Sequence, residues 1–331
     1  MFAAKALVAA LLIGWLVRSD SLDLGALAIL FQRPALLAMD LGLFAFGAMI
    51  GTLRFRVLLG LADIDVSLRT LFRLQMTAFF FNVVIPGNIG GDVVKALYVA
   101  RDAPASKRTT VLLLVFVERL LGVISLILMG SLVLVLRGRA LLTDPLLRPL
   151  APTVVGLGAA TLLGGALALL VVRHAGARLD RFTSGPSKLA KLLNQLVASM
   201  RILSAGPRSL VVVLALSMTF HAASIALFTV LTGTILERDV PYSAVATVFP
   251  LGLLSMMLPI SPAGLGVGHV AFKRLFEAIG LSGGASVFNV YLLGQMVPCL
   301  LGVFPFLSLR RRGELPTEIP AADDPATAKN G

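Results

Sequence analysis

The segment Phe79–Lys95, FFFNVVIPGNIGGDVVK, interrupts an apolar run with Asn82, Pro86, Asn88, three glycines, Asp92 and Lys95. Proline removes a backbone donor and glycine loosens a helix, so the run cannot continue as one straight helix. At membrane depth, broken backbone is tolerated only where protein or a water-filled cavity surrounds it. A charge beside such a break marks a candidate functional site. The segment is expected to form a re-entrant hairpin, about residues 74–99, whose tip lines a polar cavity. The structural alternative is a tight loop between two short buried helices.

Composition places the chain in a bilayer. It is 57% hydrophobic and 14% charged, with a mean hydropathy of +0.93, against roughly one-quarter charged residues in soluble domains. Expected spans are Ala6–Val17, Ala35–Leu53, Thr109–Leu136, Thr153–Val172, Leu210–Leu236 and Val287–Leu309; the first is short, and Arg18-Ser19-Asp20 offers no signal-peptidase site. Residues 55–74 and 188–203 alternate basic and apolar positions, as interfacial amphipathic helices do. Asp40 is placed at head-group depth. Residues 1–309 are read as one transmembrane domain and 310–331 as a disordered cytoplasmic tail.

The same inventory excludes several functions. The net charge of +12 sits mainly between spans, where it faces anionic head groups rather than nucleic acid. The lone Cys299 and three scattered histidines offer no disulfide and no metal site. Gly264–Gly268 lacks the spacing of a dinucleotide fingerprint, and no glycine run precedes Lys-Ser or Lys-Thr as a P-loop needs. No cofactor is expected.

Loop charges orient the chain. With a cytoplasmic N-terminus, eighteen Lys and Arg residues (Lys5, Arg54, Arg56, Arg69, Arg73, Arg101, Lys107, Arg108, Arg173, Arg178, Arg181, Lys188, Lys191, Arg201, Arg208 and Arg310–Arg312) lie inside. Six (Arg18, Arg33, Arg137, Arg139, Arg148 and Arg238) lie outside. This holds only if Phe79–Lys95 enters and leaves on the cytoplasmic face. It also requires residues 243–279 to enter and leave on the opposite face, and those residues contain a second break. There Pro262-Ala263-Gly264-Leu265-Gly266-Val267-Gly268-His269, then Lys273, parallels Pro86-Gly87-Asn88-Ile89-Gly90-Gly91-Asp92, then Lys95. Matching breaks in halves of opposite orientation predict an inverted repeat with a midplane site. The expected fold is an all-α polytopic membrane bundle with two oppositely oriented re-entrant hairpins.

Each break leaves a short helix whose N-terminal N–H groups can take an anion. The candidate substrate contacts are Asn82, Pro86, Gly87, Gly90, Gly91, Asp92 and Lys95 in the first hairpin, with Glu118 and Arg119 in the following span. In the second hairpin they are Pro262, Gly264, Gly266, His269 and Lys273. Charge at that depth costs a few kcal/mol or more if unpaired, so Lys95 is expected to pair with Glu118 or Asp92 in the empty state. Permanent structural ion pairs are the alternative. His221 reads as a packed, hydrogen-bonded helix residue, whereas His269, after the second glycine turn, is of a type that titrates near neutral pH.

Three stretches carry a family resemblance. NVVIPGNIGGDVVK (Asn82–Lys95), Glu118-Arg119-Leu120-Leu121-Gly122 and Pro262–Ala271 resemble, in order, motifs of the membrane domain of lysylphosphatidylglycerol synthases and its stand-alone, flippase-like relatives. The resemblance extends to about Leu309. Two departures stand out: His269 lies where members carry Glu, and Ala263-Gly264 replaces Gly-Gly. No soluble aminoacyl-transferase domain follows, so lysyl transfer is not expected.

The resemblance implies a bacterial inner-membrane protein that moves an amphiphilic lipid between leaflets. The lipid would be an anionic phospholipid, a polyprenyl-phosphate-linked lipid or a hopanoid-type isoprenoid. A homo-oligomer or a lipid-modifying enzyme partner is compatible with this. Two rival readings are an integral-membrane enzyme acting on a lipid phosphate, with Asp92 or His269 as base, and a non-catalytic subunit that presents lipid to a glycosyltransferase.

Overall fold

A computed structural model of the chain describes residues 27–85, 90–141, 147–183, 188–256 and 266–311. Among them there are twelve α-helices and no strand. A short α1 (Leu27–Gln32) precedes α2 (Pro34–Gly60), where proline at the first helical position costs no hydrogen bond. Then come α3 (Leu68–Val84), α4 (Gly90–Asp102), α5 (Arg108–Leu141), α6 (Leu147–Thr183), α7 (Lys188–Ala205) and α8 (Pro207–Leu236). The chain closes with α9 (Tyr242–Ser255), α10 (Val267–Ala278), α11 (Gly284–Cys299), a 3-10 turn after Pro298 and α12 (Val303–Arg311).

Five helices or helix pairs are long and apolar enough to cross a membrane: Pro34–Gly60, Ala105–Leu136, Ala151–His174, Pro207–Leu236 and Gly284–Leu309. These match five of the six expected spans; Ala6–Val17 lies outside the described residues. Residues 55–74 do not form the separate interfacial helix expected from their alternation. α2 continues through Arg54 and Arg56 because nothing breaks it before a turn in which Asp63 takes φ 51°. α3 then starts at Ser67, whose hydroxyl caps the Thr70 N–H at 3.2 Å.

α2 and α8 form an antiparallel central pair. Leu61, just past α2, meets Gly206 at the start of α8, and the Phe220 ring packs where a Gly47 side chain would lie. Around this pair the other helices take up reciprocal positions. α2 packs on α3 and α5, while α8 packs on α9 and α11. α5 also contacts α8 and α9, while α11 also contacts α2 and α3.

α3–α4 and α9–α10 are two helical hairpins. The first begins and ends beside the C-terminus of α2, because Lys107 Nζ, at the entrance to α5, donates to the Ala62 and Asp63 carbonyls at 2.8 and 3.0 Å. The second begins and ends beside the C-terminus of α8, where Gly283 abuts Leu236. Those termini lie at opposite ends of the central pair. Each hairpin has its own apolar core: Phe55, Leu58, Leu71, Leu74, Val99 and Leu114 around the first, and Phe228, Phe249, Phe272, Phe276 and Phe288 around the second.

α6 stands apart. Only 11% of its apolar window is buried, and Leu157, Leu162, Leu163 and Leu167 point outward. In a membrane protein such a surface is solvated by lipid tails rather than by water.

Candidate functional site

The first hairpin closes on glycine. The Gly91 N–H donates to Asn82 Oδ1 at 2.8 Å, across the hairpin. A Cβ on Gly91 would collide with the Ala78 carbonyl, so only glycine lets α4 approach α3 this closely. One of the N–H groups expected to await an anion is thus already occupied by Asn82.

This close approach carries Lys95, one turn further along α4, into the bundle. Its side chain is 4% exposed. Lys95 Nζ donates to Glu118 Oε2 of α5 at 2.5 Å and to Gln75 Oε1 of α3 at 3.0 Å, and it lies 4.2 Å from the centre of the Phe55 ring. A buried ammonium needs this full set of partners, because an unpaired charge there costs several kcal/mol. The aromatic face adds about 0.5–2 kcal/mol.

A second cation shares Glu118. Arg54 of α2 donates through Nη2 to the Glu118 backbone carbonyl at 2.8 Å, and the same nitrogen lies 3.9 Å from Oε1. Gly122, one turn on, leaves room for the guanidinium, since a Cβ there would sit 3.3 Å from Nη2. Arg54 Nε is buried with no acceptor among the described residues. Lys95 and Arg54 therefore face a single carboxylate, an excess of one positive charge inside an apolar bundle.

Asp92 and Arg119 form a further pair at 2.6 Å, more open to the surroundings than the Lys95 pair. Of the two acids expected beside Lys95, Glu118 takes it and Asp92 takes Arg119. Asn82, Gly90, Gly91, Asp92, Lys95, Glu118 and Arg119 thus belong to one constellation. Pro86, Gly87, Pro262 and Gly264 lie outside the described residues.

The second hairpin is built differently. Gly266 turns with φ 82°, a conformation that favours glycine, and caps α10. His269 Nε2 lies 3.3 Å from Asn289 Oδ1, and its ring meets Phe288 edge-on. Lys273 is exposed and does not mirror Lys95. It follows its proline by two positions more than Lys95 does, and two residues turn an α-helix about 200°. The buried face of α10 is Gly268, Phe272, Leu275 and Phe276, which leaves Lys273 and Arg274 on the outer side. Lys273→Ala is expected to shift unfolding in detergent by no more than about 0.5 kcal/mol; a loss comparable to that of a Lys95 substitution would contradict this placement.

Two members of the constellation escape a sequence reading. Arg54 looks like a charge ending a span, yet Val57-Leu58-Leu59 beyond it signals that the apolar helix continues. Gln75 is the one polar side chain between Leu74 and Met76 and reads as incidental until Lys95 is placed beside it. Asp40, expected at head-group depth, is 1% exposed and accepts from Gln295 Nε2 at 2.9 Å. His221 is packed as expected, with Nε2 3.1 Å from Ser125 Oγ.

A family model described as the lysylphosphatidylglycerol synthase TM region matches residues 2–302. The chain belongs to this family. No curated protein and no solved structure matches it. Membership makes it a membrane protein of the lysylphosphatidylglycerol synthase-associated type, and the matched region takes in both hairpins and every residue of the Lys95 constellation. Among the described residues, no group of His, Cys, Asp and Glu side chains is placed to hold a metal ion.

Proposed function

We infer that this family member moves an amphiphilic lipid with an anionic head group between the leaflets of the bacterial inner membrane. The observation that carries the reading is the uneven charge of the buried constellation, where Lys95 and Arg54 share Glu118. A phosphate entering between them balances the excess charge and offers an acceptor to Arg54 Nε, while Arg119, paired with Asp92, is the more exposed cation nearby. Acyl or prenyl chains stay in the bilayer. Phosphate suits this set because its oxygens take several charge-assisted hydrogen bonds at once.

The inverted-repeat architecture belongs to the same inference. The two hairpins are read as re-entrant from opposite faces, with both chain termini cytoplasmic. Support comes from the hairpin ends, which lie at opposite ends of the α2–α8 pair. Exchanging α2, α3, α4 and α5 for α8, α9, α10 and α11 also turns each packing relation into another that exists, as an inverted repeat requires. The loop charge bias stands even with Arg54 removed from the count.

The test is a leaflet assay in liposomes with labelled anionic, zwitterionic and uncharged lipids. Lys95→Ala combined with Arg119→Ala is expected to slow the anionic lipid at least tenfold. Unchanged rates in that variant would sink the site assignment. Chemical turnover of the lipid in detergent, where no leaflets exist, would overturn transport in favour of an enzyme.

A further inference from the structure

Asp40 is a carboxyl group with no counter-charge. It lies in α2 at 1% exposure, and among the described residues no Lys, Arg or His is within salt-bridge distance of it. Its hydrogen-bond donor is neutral: Gln295 Nε2 of α11 bonds Oδ1 at 2.9 Å and the Asp40 carbonyl at 3.2 Å. The pocket is shaped for the carboxyl, because a Cβ on Gly294 would lie 2.6 Å from Oδ1 and 2.8 Å from Oδ2. Any residue but glycine at 294 would displace it.

The groups facing this position are few. From α11, Tyr291 packs its ring against Phe228 of α8 and Phe249 of α9, and Cys299 donates to the Gln295 carbonyl at 3.2 Å. From α8, the nearest histidine, His221, is engaged with Ser125. α1 carries no charge. On α3 and α5 the nearest described ion pairs are those around Lys95 and Glu118, at the level of Arg54, about 21 Å along α2. The nearest cation along the chain is Arg33, exposed at the N-terminus of α2 about 10 Å from Asp40. A buried carboxylate with no cation in contact is costly, and a neutral acid is not. Phe79, near the tip of the first hairpin, packs on Phe44, 5.5 Å between ring centres and one turn along α2 from Asp40. Movement of that hairpin therefore bears directly on the pocket.

We propose that Asp40, held by Gln295 and Gly294, is a proton-binding site whose loading couples lipid movement to the transmembrane proton gradient. The proton comes from water on one face, rests on the carboxyl oxygen and leaves to water on the other. Proton binding stands by itself; the coupling rests on the lipid-transport reading.

Two measurements on the full chain in liposomes test it. Infrared difference spectra between about pH 5.5 and 8, where solvated aspartates are already ionised, are expected to contain a protonated-carboxyl band that shifts with carbon-13 aspartate and is absent from Asp40→Asn. The labelled wild type keeps this test informative even if the variant folds poorly. A band that persists in Asp40→Asn, or no aspartate band in the labelled wild type, overturns the proton site. In the leaflet assay, an imposed pH gradient is expected to bias the wild type by up to about tenfold per pH unit, the limit for one proton per lipid. Asp40→Asn should still move lipid but without that bias, and Asp40→Glu should regain part of it. A variant as gradient-sensitive as the wild type overturns the coupling. Wild type that moves no lipid under any gradient overturns the transport reading and the coupling with it, while the infrared band still decides the proton site.

Discussion

Glu118→Ala is expected to cost about 3–5 kcal/mol of stability, the usual range when one partner of a buried ion pair is removed. Lys95→Met should cost distinctly less. Glu118 serves two cations, so its loss leaves both Lys95 and Arg54 buried without a carboxylate. Loss of Lys95 leaves Glu118 still facing Arg54, a neutral combination, and Met keeps most of the volume that Lys95 fills against Phe55. In the double variant Lys95→Met/Glu118→Leu the penalties should not add, because the two side chains touch. Denaturant or thermal unfolding in a fixed detergent measures all three. Equal costs for the two single variants would refute the shared-carboxylate account. A double variant that is stable but inert in the leaflet assay would separate the site's role in transport from its role in folding.

Gly91→Ala should be the most damaging single methyl in the first hairpin. Overpacking usually costs about 1–3 kcal/mol, and more where nothing can give way. Here the obstacle is the Ala78 backbone carbonyl, with Asn82 Oδ1 beside it, so α3 and α4 must separate. That separation would also draw Lys95 away from Gln75 and Glu118. Gly284→Ala is the matching case at the second hairpin, where the new methyl meets the Phe272 carbonyl. Gly164→Ala on α6 is the control, with nothing within 4 Å; it should be neutral or stabilising by up to about 1 kcal/mol through helix propensity. The check is folded yield and unfolding midpoint in detergent. A Gly91→Ala protein as stable as the Gly164→Ala control would show that the hairpin does not depend on this approach.

The spans and the placement of the first break are legible because hydropathy and glycine act locally. Lys95 beside an acid is legible too, since a buried ammonium has few other options. Which acid takes it is not: Asp92 lies three residues away on the same helix, whereas Glu118 comes from another helix whose rotation no local signal records. The Lys273 match fails for a related reason. A motif aligned by eye treats a two-residue offset as small, but on a helix it moves a side chain from the core to the surface. Arg54 and Asp40 mislead in the same way. Hydropathy places each near the end of a span, yet packing from α5 and α11 draws both inside.

One bond in the constellation differs in kind from the rest. Arg54 holds α5 partly through the main-chain carbonyl of residue 118, a group that every amino acid supplies. Exchange of the Glu118 side chain therefore leaves that tie between α2 and α5 available, whereas a bulkier residue at 122 crowds the guanidinium that makes it. Positions 54 and 122 are thus coupled through one hydrogen bond to the main chain, whereas the side chain at 118 acts on the site through its charge.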